Sequence, residues 1–297
     1  MWVFLAVASA VFLGVYDIFK KSALNGNAVL PVLFLSSVTG AFIMAWPTIL
    51  SSANIISSGS LFYVPPIGLD AHLMILLKSA IVVSAWTLSF FAIKHLPITI
   101  VSPIRSTSPL WTLIGALIIY GERLNALQWS GMITTLAFFY MFSTAGKREG
   151  IHFGSNKYIW YAVASTVLNA TSGLYDKYLL QVVDRMAVQS YFSFYQVVLL
   201  APILAFYWYP RRKKFTLFQF RWAIPFIGLF LIIADFLYFY AVHEPEALIS
   251  VIAALRRASV LVAFVLGAFI FKEQNLSRKG IFLLGILAGI LLLIFGR

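Results

Sequence analysis

The sequence predicts an all-α integral membrane protein with ten transmembrane helices, arranged as two five-helix repeats of inverted topology. Three observations lead there. The 297 residues are 61% hydrophobic and only 11% charged, with a mean hydropathy of +0.91; a soluble domain carries about 25% charged residues. The apolar residues collect in runs close to the ~20 residues that span a bilayer. The chain also reads twice. Arg105 stands 17 residues before Glu122, and Arg256 stands 17 residues before Glu273, in the frames SPIRSTSPLWTLIGALIIYGE at 102–122 and AALRRASVLVAFVLGAFIFKE at 253–273. Upstream, Gly14-Val15-Tyr16-Asp17 recurs as Gly173-Leu174-Tyr175-Asp176.

The runs fall at about 2–19, 29–50, 71–93, 98–120 and 126–145. After the polar break Gly146-Lys147-Arg148-Glu149-Gly150 they resume at about 158–180, 187–208, 219–243, 246–271 and 280–295. The repeats are therefore bounded at 1–146 and 157–297. The Ser-, Gly- and Pro-rich stretch 51–70 has room for a short interfacial element. Because five is odd, the second repeat must enter the membrane from the opposite side. Inverted repeats place a substrate site at the midplane between the halves, and rocking of one half against the other gives alternating access.

The first run has no basic segment before it and aligns with the internal run Tyr158–Leu180, so it is expected to be a retained span and not a signal peptide. Loops after the odd-numbered spans hold 14 Lys and Arg residues, against Arg123, Lys177, Arg185 and Arg297 on the other side. The positive-inside rule makes the odd loops cytoplasmic and both termini extracytoplasmic.

Several chemistries are excluded. No cysteine is present, so disulfides, thiol catalysis and thiolate metal sites are out. The four histidines show no metal-binding spacing, and neither a metal nor any other cofactor is expected. No phosphate-binding Walker loop is present, which argues against ATP hydrolysis by this chain. The net charge of +12 sits in short breaks between apolar runs; that is a mark of membrane orientation and not of nucleic-acid binding.

Chemistry must therefore come from the charges left inside the spans. Lys78, Arg105, Arg256 and Arg257 are there at a cost of about 2.5–3.5 kcal/mol each, and such residues face protein or a watery cavity. Arg105 and Arg256 lie about 12–15 Å deep at 1.5 Å per residue. Ser102, Ser108 and Thr112 continue the polar stripe of Arg105. Arg256 and Arg257 point about 100° apart on an ideal helix, so both are not expected to face one pocket. A cationic centre of Arg105 with Arg256 or Arg257 suits carboxylate or phosphate, which a guanidinium grips bidentately. The plainer alternative pairs each Arg with Asp17, Asp176 or Asp235, holding the halves together.

Asp17 and Asp176, with Tyr16 and Tyr175 beside them, are candidate gate residues, and an interfacial role serves equally for the carboxylates. Asp235 lies deeper and is a candidate for proton coupling. Lys78 is expected either to join the site or to snorkel to an interface. Trp86, Trp111, Tyr191 and Tyr238 are candidate cavity walls, although helix packing is the commoner use of such residues. Glu122 and Glu273 read as interfacial anchors, and His95 and His243 as loop residues. Pro103 and Pro109 bracket Arg105, and Pro225 is placed to bend the eighth span. No residue is expected to be catalytic.

Ten spans in two repeats, each fourth span ending in an acidic motif (Tyr-Gly-Glu at 120–122, Phe-Lys-Glu at 271–273), resemble the drug/metabolite transporter superfamily, and EamA-type permeases most. The resemblance implies export of a small polar metabolite across a bacterial inner membrane. Within the superfamily, sugar-phosphate/phosphate antiporters hold phosphate with basic residues on spans four and nine, positions similar to Arg105 and Arg256-Arg257. That likeness implies an anionic or zwitterionic substrate. The expected partners are this small molecule and the lipid bilayer, and one chain with two repeats suffices for a pathway, so a monomer is expected. A membrane enzyme acting on lipid phosphates would need clustered acids, and the ten present are scattered. A non-transporting scaffold would have no use for paired intramembrane arginines.

Overall fold

A computed structural model describes residues 1–96, 104–105, 107–144, 156–214, 216–259, 261–263, 265–266 and 276–296. The regular structure of these residues is all helix, with no strand among them. In chain order the α-helices are α1 (Trp2–Leu24), α2 (Val29–Ser52), α3 (Leu69–His95), α4 (Ser108–Ile119) and α5 (Ala126–Thr144). There follow α6 (Lys157–Val182), α7 (Arg185–Pro202), α8 (Ala223–His243), α9 (Ile249–Arg256) and α10 (Leu276–Phe295). Among the described residues, five segments are long and apolar enough to cross a membrane: α1, α2, Leu69–Ser89 of α3, Arg185–Arg212 and α8.

Local chemistry sets the helix ends. Asp184 caps α7 by accepting from the amides of Met186 and Ala187 at 2.8 and 3.2 Å, and Asn156 caps α6 through Tyr158 N at 3.0 Å. Beyond Pro202, which has no N–H to donate, the ladder widens into a π-helix at Ile203–Trp208 and then tightens into a 3₁₀ turn at Tyr209–Lys214. Gly121 turns the chain at the end of α4 with a φ of +60°, a left-handed conformation that glycine enters without strain.

Three expectations change. The stretch 53–68 holds no regular element and is tied down by Val64 N donating to Ser51 Oγ at 3.0 Å. Pro225 lies in the first turn of α8, where its missing N–H costs nothing, so it does not bend the helix. The ninth run does not continue as one helix, because α9 stops at Arg256 and residues 257–258 form a turn.

The packing has a symmetry that the sequence repeat foreshadows. Six of the large helix contacts are α1 with α8, α3 with α6, α2 with α8, α3 with α7, α1 with α9, and α4 with α6. Replacing each helix by the one five places along turns this set into itself. The remaining large contacts, α2 with α7, α4 with α9 and α5 with α10, join a helix to its own counterpart. At the α5–α10 crossing the backbones meet through glycine: a methyl on Gly131 would sit 2.7 Å from Gly289 O.

Hydrogen bonds identify the two ends of the bundle. At one end Asn27 donates to Gln219 O (2.6 Å), Arg221 donates to Ser22 O (2.7 Å), and His95 stacks on Tyr158 at 3.9 Å. The other end gathers Glu122, Lys177, Ala247, and the contact of Asn125 with Gly296.

Candidate functional site

Between the halves lies a cavity of about 330 Å³, reached by α1, α2, α3 and α4 of the first repeat and α6, α7, α8 and α9 of the second. Lys20, Lys78, Arg105, Arg256 and Arg257 line it, opposed by three carboxylates, Asp17, Asp176 and Asp235. The five cations outnumber the carboxylates in a space that helices of both repeats enter.

The cavity has two unlike ends. At the deep end Lys78 is 2% and Asp176 3% exposed. They form an ion pair across the repeats, α3 to α6, and Tyr238 donates to the second Asp176 oxygen at 3.1 Å. The Lys78 ammonium also sits 4.3 Å from the Phe192 ring and 5.1 Å from that of Phe239. Lys78 therefore does not snorkel. Its charge is consumed where it stands, since a buried ion needs its partner and every available hydrogen bond.

Next in the wall, Arg256 Nη2 donates to Asp235 at 2.9 Å, and the guanidinium lies 4.0 Å over the Tyr238 ring. Both partners belong to the second half, so this pair does not bridge the repeats as a simple Arg–Asp clasp would. Among the described residues, the buried Arg256 Nε has no hydrogen-bond partner. A guanidinium with one donor spare can take a further acceptor.

Towards the other end the lining becomes open. Arg105 is exposed, Asp17 and Lys20 are partly exposed, and Arg257 follows α9 as its C-cap. Among the described residues neither Arg105 nor Arg257 forms an ion pair. Both act electrostatically on Asp17, as does Lys20. Arg256 and Arg257 both line the cavity, contrary to the ideal-helix expectation. The helix ends between them, so the turn releases Arg257 from the 100° spacing. Positive charge is also favoured at that terminus by the helix dipole.

Of the other candidates, Tyr16, Trp86 and Ser108 line the cavity, and Thr112 extends the stripe of Ser108. Trp111 stands outside it, 41% exposed, with its indole N–H on Thr107 at 3.2 Å. Tyr191 packs edge-on against His72 at 4.5 Å and lies outside the lining too. Tyr175 donates to Met74 O at 3.2 Å, tying α6 to α3. Ser102, Pro103 and Glu273 lie outside the described residues.

Two histidines close helices and are not loop residues: His95 Nδ1 meets Phe91 O at 2.9 Å, and His243 Nδ1 meets Leu180 O at 2.8 Å. Glu122 is not an interfacial anchor. It is 6% exposed and bound on all sides, with Lys177 Nζ, Ile249 N and Ser250 Oγ at 2.7, 2.7 and 2.5 Å. The repeated Arg-to-Glu spacing had marked the position, but not its burial. Asn169 and Ser172 of α6 also reach the cavity, and no motif signalled them.

A family model described as the EamA-like transporter family matches the chain twice, over residues 1–144 and 156–295. The chain belongs to this family. This EamA-like protein is thus a multi-pass membrane protein of the drug/metabolite transporter kind, and its members are transporters. A solved structure titled "Crystal structure of protein" superimposes with a TM-score of 0.74 at 13% identity, covering 100% of this chain and 99% of that one; the likeness is one of fold. No curated protein matches by sequence.

Proposed function

We propose that this EamA-like protein is a secondary transporter that carries a small polar metabolite, anionic or zwitterionic, through the charged cavity by alternating access. The observation that carries this reading is the convergence of Arg105, Arg256 and Arg257 on one cavity between the repeats, two of them without an ion pair among the described residues. A guanidinium that lines a cavity without a carboxylate partner keeps its donors for an anion that enters.

In this reading Arg105 and Arg257 receive the anionic group, and Asp17 opposite them is placed to meet an ammonium if the substrate is zwitterionic. Asp235, already paired with Arg256, is the carboxylate whose release would couple a proton or the substrate to movement. The bundle-end contacts support inverted repeats: α1 ends where Ser22 and Asn27 meet 219–221, whereas its counterpart α6 ends near Glu122 and Ala247. With the positive-inside count, the Lys20 end is cytoplasmic, and both termini lie outside a bacterial inner membrane. The cavity is complete within one chain, which supports a monomer.

The test is a ligand-induced thermal-shift panel of phosphorylated sugars, dicarboxylates and amino acids on purified protein, followed by exchange in liposomes. Arg105→Ala and Arg257→Ala are each expected to weaken the best ligand about tenfold, the weight of one charge-assisted hydrogen bond. Trp111→Ala is expected to leave the affinity unchanged. Equal affinity in all four proteins would remove the cationic site. A shift confined to phosphorylated compounds would favour an antiporter of the sugar-phosphate type over a metabolite exporter.

A further inference from the structure

The helix that brings Arg256 and Arg257 to the cavity starts without a cap of its own. α9 has Leu248 at its N-cap, and leucine offers no side-chain acceptor to the exposed first-turn amides. The acceptor comes from elsewhere in the chain. Gly121 turns the chain after α4, with the Glu122 amide bonded back to Ala116 O at 3.3 Å. That turn delivers the Glu122 carboxylate to the start of α9. One oxygen accepts from Ile249 N at 2.7 Å; the other accepts from Ser250 N at 3.3 Å and Ser250 Oγ at 2.5 Å. A carboxylate on first-turn amides satisfies orphan donors and complements the positive end of the helix dipole.

Lys177 completes the arrangement. Its ammonium donates to Glu122 at 2.7 Å and to Ala247 O at 3.0 Å, and it sits 5.0 Å from the Tyr120 ring. Tyr120 in turn donates to Leu174 O at 2.6 Å. Three segments, the end of α4, the late part of α6 and the start of α9, are thus bound through one buried carboxylate. Lys177 follows Asp176 directly, so this cluster stands just outside the deep end of the cavity. Ile249, whose amide Glu122 holds, is itself a lining residue.

We infer that Glu122 is the positioning residue of a latch: by capping α9 from the first repeat it seals the Asp176 end of the cavity, and its release is the event that opens that end. The inference rests on the alternating-access reading of the cavity. Glu122 touches no substrate; it acts through α9, whose far end carries the arginines. Breaking the latch frees the start of α9 from α4 and α6, and α9 carries its arginines with it.

The absence of native cysteine makes the test direct. Ala253→Cys places a thiol on α9 in the cavity wall. Its reaction with a membrane-impermeant maleimide is timed in sealed vesicles of both orientations. The latched protein is expected to label from the Lys20 side and about tenfold or more slowly from the Glu122 side, the ratio that roughly one charge-assisted hydrogen bond sustains. Glu122→Ala in the same background is expected to raise the Glu122-side rate about tenfold and to lower the rate from the Lys20 side. Glu122→Gln, which keeps an acceptor but loses the charge, should fall between them.

If Glu122→Ala does not fold, Lys177→Met and Ser250→Ala, each removing part of the cluster, carry the same readout with changes of about threefold. A folded variant with reduced thermal stability and an unchanged side ratio would make Glu122 a structural residue only and overturn the inference. Rapid labelling of the parent from the Glu122 side would do the same. A shifted ratio alongside arginine variants that bind ligand normally would keep the latch and discard the anion reading.

Discussion

Asp17 and Asp176 end the same Gly-x-Tyr-Asp motif in the two repeats, yet they live differently. Asp176 is buried, paired with Lys78 and hydrogen-bonded by Tyr238. Asp17 is partly exposed at the mouth of the cavity, with Lys20, Arg105 and Arg257 around it at longer range. The glycines of the motif differ as well. A methyl on Gly14 would meet Val262 Cγ1 at 2.7 Å and Ser259 O at 2.8 Å, whereas on Gly173 it would have only Tyr238 OH at 3.7 Å. Each copy is thus tight at one position and open at the other, in opposite senses: Gly14 is packed where Asp17 is open, and Gly173 has room where Asp176 is sealed. A packing pattern that is symmetric in its helix pairs holds an asymmetric set of charges.

The comparison breaks hardest at the Lys78–Asp176 pair. Lys78→Ala strands a buried carboxylate and is expected to cost about 3–5 kcal/mol, seen as a large drop in thermal midpoint in detergent. Lys78→Met combined with Asp176→Asn should recover much of that loss, since it removes both charges together. If the single variant is as stable as the parent, the deep end is not sealed in solution.

The glycines come next. Gly14→Ala is expected to destabilise by about 1–3 kcal/mol through overpacking against Val262. Gly173→Ala, on an open helix face, should be neutral or stabilising by up to about 1 kcal/mol. Equal effects would mean the two motifs are packed alike. The smallest effect is expected from Asp17→Asn. Its stability should stay within about 0.5 kcal/mol of the parent. Anion affinity should rise a few-fold at low salt and converge with the parent as salt screens the exposed charges.

Much of this was legible in the residues. Hydropathy marked the helices because lipid tolerates no unpaired backbone, so apolar runs of sufficient length have one fate. The Arg-to-Glu spacing marked the repeats, and the intramembrane charges marked the cavity, because a charge at depth needs a reason. Pairing was not legible. Lys78 finds Asp176 at a separation of 98 residues, and Glu122 finds Ser250 at 128. Periodicity describes which face of its own helix a residue occupies and carries nothing about the helix opposite. Trp111 and Tyr191 fell outside the cavity for that reason, each being on a face that meets something else.

Composition, periodicity and the repeated motifs alone settled that this chain is a helical membrane protein with two related halves, because those properties depend on local hydrophobicity and spacing. Tertiary packing settled which charges are spent in pairs and which form no ion pair among the described residues. It also ended α9 between Arg256 and Arg257, bringing both to one cavity, and it turned Glu122 from a helix-end acid into the cap of a distant helix. The physical reason is common to all three: the energy of a buried charge is set by its partners across helices, and those partners are brought together only by folding.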